Sequence, residues 1–251
     1  MLDDNHLSQI DTLWSIVRRA HASDLALAAP AQQQLLERYG GAARRYLRAV
    51  VKDQETADDL YQQFAVKFLS GDLARATPAR GRFRDLLKTT LFRMGMDHFR
   101  NRKRRPPPAP LDTAVVPAAM DGEQQADEQF MVSWREELLA CAWQAMENEE
   151  RTSGKPMYSA LRLRVDQPSL RSPELAQRMS VELGREISSA NVRVILHRAR
   201  ERFAALLLDA VVQSLDQPTS AEVEEELCEL RLLEYCRPAL TARDASDRQS
   251  G

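Results

Sequence analysis

Three consecutive prolines, residues 106–108, divide the sequence into two stretches that each show helical periodicity. An α-helix does not continue through such a run, because each proline lacks a backbone N–H and its ring clashes with the preceding turn. Apolar residues recur at helical spacing before the run, in residues 57–68 and in residues 83–94, and again after it from Phe130 onwards. Asp53 is the expected N-cap of the helix that contains residues 57–68. We therefore expect an all-α fold of two small helical domains that are joined by a flexible linker, with helical extensions at both ends.

The composition agrees with a folded helical protein. Of 251 residues only 9 are Gly, 43% are hydrophobic and 29% are charged, which lies outside the ranges typical of disordered or fibrous chains. The segment before residue 130 holds prolines, alanines and acids with little periodicity, as an exposed linker does. We place an N-terminal helical extension at residues 1–29, the first domain at 30–105, the linker at 106–129, the second domain at 130–216 and an acidic C-terminal extension at 217–251.

The second stretch contains a pattern that is typical of a helix-turn-helix. Ser172-Pro173-Glu174 combines an N-cap, a proline at the first helical position and an acid in the first turn. Gly184 is expected to end this helix, and Ser188 or Ser189 to cap the next one. A recognition helix needs cations that reach phosphates and polar groups that reach base edges. The candidates are Ser189, Asn191, Arg193, His197, Arg198 and Arg200; the alternative is an ordinary solvated face on a core helix.

Charge is distributed unevenly although the net charge is only -2. Residues 75–105 hold eleven Lys or Arg and two acids, whereas residues 222–236 hold six Glu and one Arg. The basic segment also contains Phe83, Phe92, His98 and Phe99, and interleaved rings and cations suit a surface that follows a phosphate backbone and contacts unpaired bases. The alternative is that most of these rings are core residues and that the basic run is merely solvated; Phe83 in particular fits the core stripe.

These segments resemble a known family. Residues 57–64, 81–87 and 97–104 are similar to region 2 of the extracytoplasmic-function (ECF) subfamily of bacterial RNA polymerase sigma factors, within the sigma-70 family. Residues 175–176, 191–193 and 196–200 resemble the helix-turn-helix of region 4 in the same family. The two blocks stand in the family's order and are separated by a linker. Residues 180–188, between the two helices, form a longer connection than the family's usual turn.

The resemblance implies a function: binding of core RNA polymerase and promoter-specific initiation of transcription. An acidic helix would dock on the clamp helices of the polymerase largest subunit through Asp58, Asp59, Leu60, Gln62 and Gln63. The minus-ten element, with its unpaired non-template bases, would be contacted by Arg84, Lys88, Arg93, Asp97, His98, Arg100, Asn101 and Arg102. The six candidates of the second domain would read the minus-thirty-five element as duplex DNA.

Other classes of function are not favoured by the sequence. The four histidines are scattered and neither a Gly-rich phosphate loop nor metal-ligand spacing occurs, so we expect no enzyme, no cofactor and no metal. The three cysteines form no Cys-x-x-Cys pair, and we expect them to be reduced. The first residues do not resemble a secretory signal, and no stretch approaches the roughly 18 apolar residues that span a bilayer. A cytoplasmic protein without membrane insertion is the expectation.

Two rival functions stay open. A helix-turn-helix regulator that works without polymerase would bind DNA on its own, whereas a helical adaptor that binds only proteins would show no salt-dependent DNA affinity. The mode of control also stays open among an anti-sigma factor, a regulatory kinase and the acidic extension. For that extension Ser220 is a candidate N-cap. Its acidic helix would either cover a basic DNA-binding surface, as an autoinhibitor, or simply pack on the second domain.

Overall fold

The computed structural model describes residues 13–20, 25–69, 82–104, 121–215 and 217–250. Within these ranges all regular secondary structure is α-helical, and no strand occurs. The predicted all-α class is confirmed. No helix in the described part of the chain is both long enough and apolar enough to cross a membrane.

The chain divides into two compact units. Unit 1 comprises Met1–Glu137 and Val212–Pro218, and unit 2 comprises Leu138–Val211 and Thr219–Gly251. Unit 1 contains α1 (Leu13–Ala20), α2 (Leu25–Val51), α3 (Gln54–Leu69), α4 (Phe83–Arg104) and the first half of α5 (Asp121–Ser153). Unit 2 contains the second half of α5, α6 (Met157–Asp166), α7 (Ser172–Leu183), most of α8 (Ser189–Gln213), α9 (Ser220–Glu229) and α10 (Leu233–Ser250).

In unit 1, α2 packs against α1, α3 and α4. The apolar stripes that define α3 and α4 in the sequence face this core. Tyr61 of the α3 stripe is half-buried. The other members are at most 6% exposed: Ala57, Leu60, Phe64 and Phe68 on α3, and Phe83, Leu87, Leu91 and Met94 on α4. Helical periodicity therefore identified the buried face of both helices.

Helix α2 begins at Leu25 and contains Pro30, so it crosses the boundary expected between the N-terminal extension (1–29) and the first domain (30–105). Proline removes one backbone hydrogen bond, and this loss falls near the start of the helix, where few such bonds precede it. Burial compensates for it. Ala28 and Ala31, on either side of Pro30, are 3% and 4% exposed, and Ile16 and Val17 of α1 are 1% and 2% exposed.

Helix α5 begins at Asp121, nine residues before the expected start at Phe130 and inside the segment that the sequence analysis assigned to the linker. The first turns lack an apolar stripe, but Glu, Gln and Ala have high helix propensity. Contacts with α4 also hold them: Lys88 Nζ lies 3.2 Å from Asp127 Oδ2. Residues 106–120 of the predicted linker lie outside the described ranges.

Two N-caps lie one residue earlier than predicted. Arg171 rather than Ser172 precedes α7, and Thr219 rather than Ser220 precedes α9. Thr219 forms a capping box with Glu222, in which Thr219 Oγ1 accepts from the backbone N–H of Glu222 (3.3 Å) and the Glu222 carboxylate accepts from that of Thr219 (2.7 Å). Thr219 and Ser220 are both capping residues, and sequence alone does not choose between them. Arg171 makes no side-chain cap hydrogen bond, so its position before α7 has no signal in the residue type.

Candidate nucleic-acid interface

Helices α7 and α8 of unit 2 are joined by a short connection, residues 184–188. Gly184 has a left-handed backbone (φ 63°) and ends α7, as predicted. Helices α6, α7 and α8 and the connection share one apolar cluster: Ala160, Leu175, Ala176, Met179, Ile187, Val192 and Leu196. The connection is shorter than residues 180–188 suggested, because α7 continues to Leu183.

Ser180 and Ser188 fix the connection in place. The Ser180 hydroxyl donates to the carbonyl of Ala176 (2.7 Å) and accepts from the backbone N–H of Ile187 (2.9 Å). The Ser188 hydroxyl accepts from the backbone N–H of Asn191 (3.2 Å), so Ser188 is the cap of α8, one of the two predicted. The start of α8 is thereby anchored to α7.

The first half of α8 separates apolar from polar residues. Val192, Leu196 and Ala199 are at most 4% exposed. The candidate DNA contacts lie on the remaining surface, and we call them the α8 outer residues: Asn191, Arg193, His197, Arg198 and Arg200, which are exposed, and Ser189, which is half-buried. The helical repeat brings Ser189, Arg193 and Arg200 to one flank, within about 40° of one another. Asn191 and Arg198 lie on the opposite flank.

One arginine of α8 is absent from this set for a structural reason. Arg202 makes a two-pronged hydrogen-bonded ion pair with the Glu149 carboxylate of α5, with Nε donating to Oε2 at 2.8 Å. The hydrogen bond from Arg202 holds the pKa of Glu149 below its usual value. Arg202 therefore positions α8 against α5. Because Glu149 lies 53 residues before Arg202 in the sequence, no local pattern predicts this ion pair.

An open concavity of about 710 Å³ lies along α7 and the connection. Its lining includes Gln177 and Arg185, which sequence reasoning did not single out, together with Ser188 and Ser189 at the start of α8. Both missed residues are exposed. They add an amide and a cation close to the predicted DNA contacts.

Helix α4 of unit 1 carries the second candidate set. The α4 outer residues are exposed: Arg93, Asp97, Arg100, Asn101 and Arg102. Asp97 Oδ1 lies 3.5 Å from Arg100 Nη1, but side chains 65% and 70% exposed pair only weakly. The other two predicted contacts, Lys88 and His98, are half-buried.

Arg84 does not lie among the α4 outer residues. It is 5% exposed, with Nη1 3.4 Å from the Met131 sulfur and Nε 3.8 Å from the Asp85 carboxylate. The long arginine stem can be buried on apolar surface, and here the early start of α5 supplies that surface. We correct the prediction and remove Arg84 from the candidate DNA contacts.

The end of α4 lies close to the start of α3. Asp53 caps α3 as predicted, since its carboxylate accepts from the backbone N–H of Thr56 (2.8 Å). Hydrogen bonding to Thr56 lowers the pKa of Asp53, and the nearby charges of Arg102 and His98 lower it further. Asp53 therefore places a negative charge near Arg102 at the end of α4.

The rings of the basic segment have different surroundings. Phe83 is 1% exposed and belongs to the core, as the alternative interpretation stated. Phe92 and Phe99 are half-buried, and the Phe99 ring meets the edge of His98 with 5.7 Å between centroids. Phe99 and His98 therefore keep some ring surface next to Arg100 and Arg102.

Helix α3 carries the residues predicted to bind polymerase. Asp59, Gln62 and Gln63 are exposed and Asp58 is half-buried, with its carboxylate 4.0 Å from Arg44 Nε. Leu60 is 4% exposed, so the prediction that it contacts a partner is corrected. Its place on the apolar stripe of α3 explains this burial.

Sequence reasoning missed Val66 on the same helix, which is 64% exposed. The helical repeat places Val66 on the same side as Asp59 and Gln62. The sequence did contain a signal for its exposure, because Val66 lies off the apolar stripe of α3. An apolar residue at such a position cannot pack in the core that this stripe faces. We call Asp58, Asp59, Gln62, Gln63 and Val66 the α3 outer residues.

Two findings on the described residues concern metal ligands and thiols. The described part of the chain contains no group of three or more His, Cys, Asp or Glu side chains that could hold a metal ion. None of the three cysteines forms a disulfide. Cys236 is buried, and burial raises the pKa of its thiol to about 11, which disfavours the reactive thiolate.

No protein-family model, curated protein or solved structure matches this chain. What the chain does is therefore inferred from its own residues and from the sequence resemblance described above.

Proposed function

We propose that this protein is a sigma factor that binds core RNA polymerase and directs promoter-specific initiation of transcription. The α8 outer residues read the minus-thirty-five element as duplex DNA, and the α4 outer residues with Lys88 and His98 contact the minus-ten element. The α3 outer residues dock on the clamp helices of the polymerase largest subunit. In this proposal the two DNA-binding regions are domains joined by a flexible linker, and the second is a helix-turn-helix domain.

The separation of residues on α8 is the observation that carries the proposal. Three cations, Arg193, Arg198 and Arg200, stand exposed around a helix whose other side is buried against α6 and α7. Asn191 and Ser189 lie near its N-terminus, where a recognition helix contacts base edges. The capped start of α8 and the left-handed Gly184 support the same interpretation, because they hold the two helices in one local arrangement.

The α4 outer residues support a second DNA contact. Arg93, Arg100 and Arg102 present cations along one helix, and the partly accessible rings of His98 and Phe99 lie beside them. Cations with neighbouring aromatic rings bind single strands by backbone contact and base stacking. A regulator that reads only duplex DNA has no use for this second set.

The α3 outer residues suit a protein partner better than DNA. Asp58 and Asp59 would repel phosphates, whereas Val66 offers an exposed apolar contact that two glutamines flank. A protein interface combines such an apolar centre with a polar rim.

The near-neutral net charge fits this division of labour. A chain with net charge -2 has no large field that draws it to DNA in general. When polymerase holds it, however, each DNA-binding region meets its element at a high effective concentration, so neither needs to bind tightly alone. The protein would work in the cytoplasm without a cofactor and without chemistry of its own, and an anti-sigma factor or a kinase would be a regulatory partner.

Run-off transcription with purified core polymerase on genomic promoter fragments tests the proposal. The wild-type chain should direct initiation on a subset of fragments, and Arg193→Gln and Arg200→Gln together should reduce the yield at least about tenfold, since each phosphate or base contact contributes about 1–3 kcal/mol. Arg151→Gln is the matched control, because Arg151 is a 64% exposed arginine of α5 that pairs with Glu147.

Failure of the wild-type chain to direct initiation, or to co-purify with core polymerase, would refute the proposal. Sequence-specific DNA binding by the chain alone, with no effect of polymerase, would favour the helix-turn-helix regulator instead. An absence of salt-dependent DNA affinity in both conditions would favour the protein-binding adaptor.

A further inference from the structure

Tyr235 is a large, partly exposed side chain near the start of α10. It is 43% exposed, and its ring meets the edge of Phe203 of α8 with 6.2 Å between centroids and 74° between planes. Phe203 is itself 4% exposed and packs on Trp143 of α5, with 4.5 Å between centroids. The ring of Tyr235 is thus held against α8 on one side, while a large fraction of the residue stays accessible to solvent.

The side chain of Tyr235 lies near the cationic flank of α8. Burial raises the pKa of Tyr235, and so does the neighbouring Cys236, whereas the positive charge of Arg200 acts in the opposite direction. Arg200 is therefore close enough to interact electrostatically with the phenol. Ser189, Arg193 and Arg200 form a line about 16 Å long on this flank at 1.5 Å per residue. Phe203, whose ring packs against the ring of Tyr235, lies about one helical turn beyond Arg200.

The charged neighbours of Tyr235 permit an approach of DNA. Glu234 is the adjacent acid, with a side chain 86% exposed, and its carboxylate accepts from Arg237 Nη2 at 2.6 Å. This ion pair offsets the charge of Glu234, and Arg237 also interacts with Glu224 of α9. Arg200 supplies an attractive charge from α8.

We propose that Tyr235 is a further DNA contact beside the α8 outer residues, in which its hydroxyl donates a hydrogen bond to a backbone phosphate next to the one that Arg200 binds. The inference rests on the proposed function. Tyrosine is among the side chains that contact phosphates and position a protein on the duplex. The contact would give the C-terminal extension, which lies outside the part of the chain that resembles the family, a direct part in promoter binding.

Binding of the full-length chain with core polymerase to a promoter fragment that is active in run-off transcription tests this contact. Tyr235→Phe removes the hydroxyl but keeps the ring on Phe203, and Tyr235→Ala removes both. Tyr158→Phe is the matched control, because Tyr158 is a half-buried tyrosine of the same unit whose ring rests on Trp143, with 5.8 Å between centroids.

Tyr235→Phe should weaken binding about threefold to tenfold, the loss expected for one hydrogen bond, and Tyr158→Phe should leave it unchanged. The salt dependence separates this neutral contact from a charged one. Arg200→Gln should lower the slope of log affinity against log salt concentration by about one, because one phosphate loses its cation, whereas Tyr235→Phe should leave the slope unchanged.

Weak binding by Tyr235→Ala together with wild-type affinity for Tyr235→Phe would overturn the inference, because the ring would then serve only packing. Reduced binding of Tyr235→Phe to core polymerase itself would overturn it too. If no fragment is active with the wild-type chain, the proposed function fails and this inference fails with it; an active wild-type chain with an unaffected Tyr235→Phe variant refutes the inference alone.

Discussion

Replacement of Val223 by Ala should destabilise unit 2 by about 2 kcal/mol. Val223 lies near the start of α9 and is 4% exposed, beside Leu227 and Leu230 at 0% and 1%. Removal of two buried methyl groups costs about 0.8 kcal/mol each in transfer free energy, and the cavity that remains adds about 1 kcal/mol. The higher helix propensity of Ala offsets about 0.5 kcal/mol of this loss.

Val181→Ala is the matched control for this prediction. Val181 lies in α7 of the same unit but is 79% exposed, so its loss costs little burial while the gain in helix propensity is the same. The difference between the two variants therefore isolates the burial of α9 and should be about 2.5 kcal/mol. Urea unfolding of the full-length chain, followed by far-ultraviolet circular dichroism, measures both free energies of unfolding.

Equal free energies of unfolding for the two variants would refute the reasoning, because α9 would then not be part of the packed core of unit 2. The same logic extends to a chain that ends at Gln217 and lacks α9 and α10. It should unfold at lower urea concentration and, with polymerase, bind promoter DNA more weakly than the full-length chain. Tighter binding would instead support the hypothesis that the acidic extension is an autoinhibitor.

Two further predictions concern the contacts that hold α8. Glu149→Gln should lower the free energy of unfolding at neutral pH, because it removes the ion pair with Arg202. Since Arg202 lowers the folded-state pKa of Glu149, the stabilisation by this ion pair is present at neutral pH and is lost as pH falls through that lowered pKa. Because the side chains of Glu149 and Arg202 are 33% and 41% exposed, the free energies of unfolding of variant and wild type should differ by at most about 1 kcal/mol. Urea unfolding should show that this difference disappears in acid. Gly184→Ala and Gly154→Ala should each cost about 1 kcal/mol, because both glycines have a left-handed backbone (φ 63° and 68°). Only Gly184→Ala should also weaken promoter binding, since it alone lies between α7 and α8; equal binding by both variants would contradict this.

Local signals account for what the sequence predicted well. The stripes of α3 and α4, the caps at Asp53 and Ser188 and the stop at Gly184 each depend on residues within a few positions of one another. Hydrogen bonds and packing at this range are set by the helical repeat, so the residue types are sufficient to predict them. The exposure of the α8 outer residues followed from the same repeat.

Contacts between remote segments account for the errors at Arg84 and Arg202, whereas the error at Leu60 has a local cause. Leu60 was assigned to a partner by resemblance, although its own stripe already placed it in the core. Arg84 was also assigned to a DNA contact by resemblance, and its burial depends on Met131 of α5, a helix whose start has no apolar pattern. The ion pair of Arg202 with Glu149 spans 53 residues, and no local motif announces it. The residue types and their helical spacing predict which side of a helix is buried, but they do not predict which distant helix packs against that side.

Helix α8 changes character along its length, and this change bears on the acidic extension. Its first half is buried on one narrow side only, whereas in residues 203–211 the buried positions spread over about 200° of the helix surface. They are Phe203, Ala204, Leu206, Leu207, Leu208, Ala210 and Val211, all at most 8% exposed. An apolar surface this wide is covered by more than one neighbouring element. Within unit 2, α5 covers one side through Trp143, and α10 covers another through Tyr235 and through the Arg243–Asp209 ion pair (3.6 Å). Because the outer residues are carried by the same continuous helix, the extension that covers its second half should support promoter binding rather than oppose it.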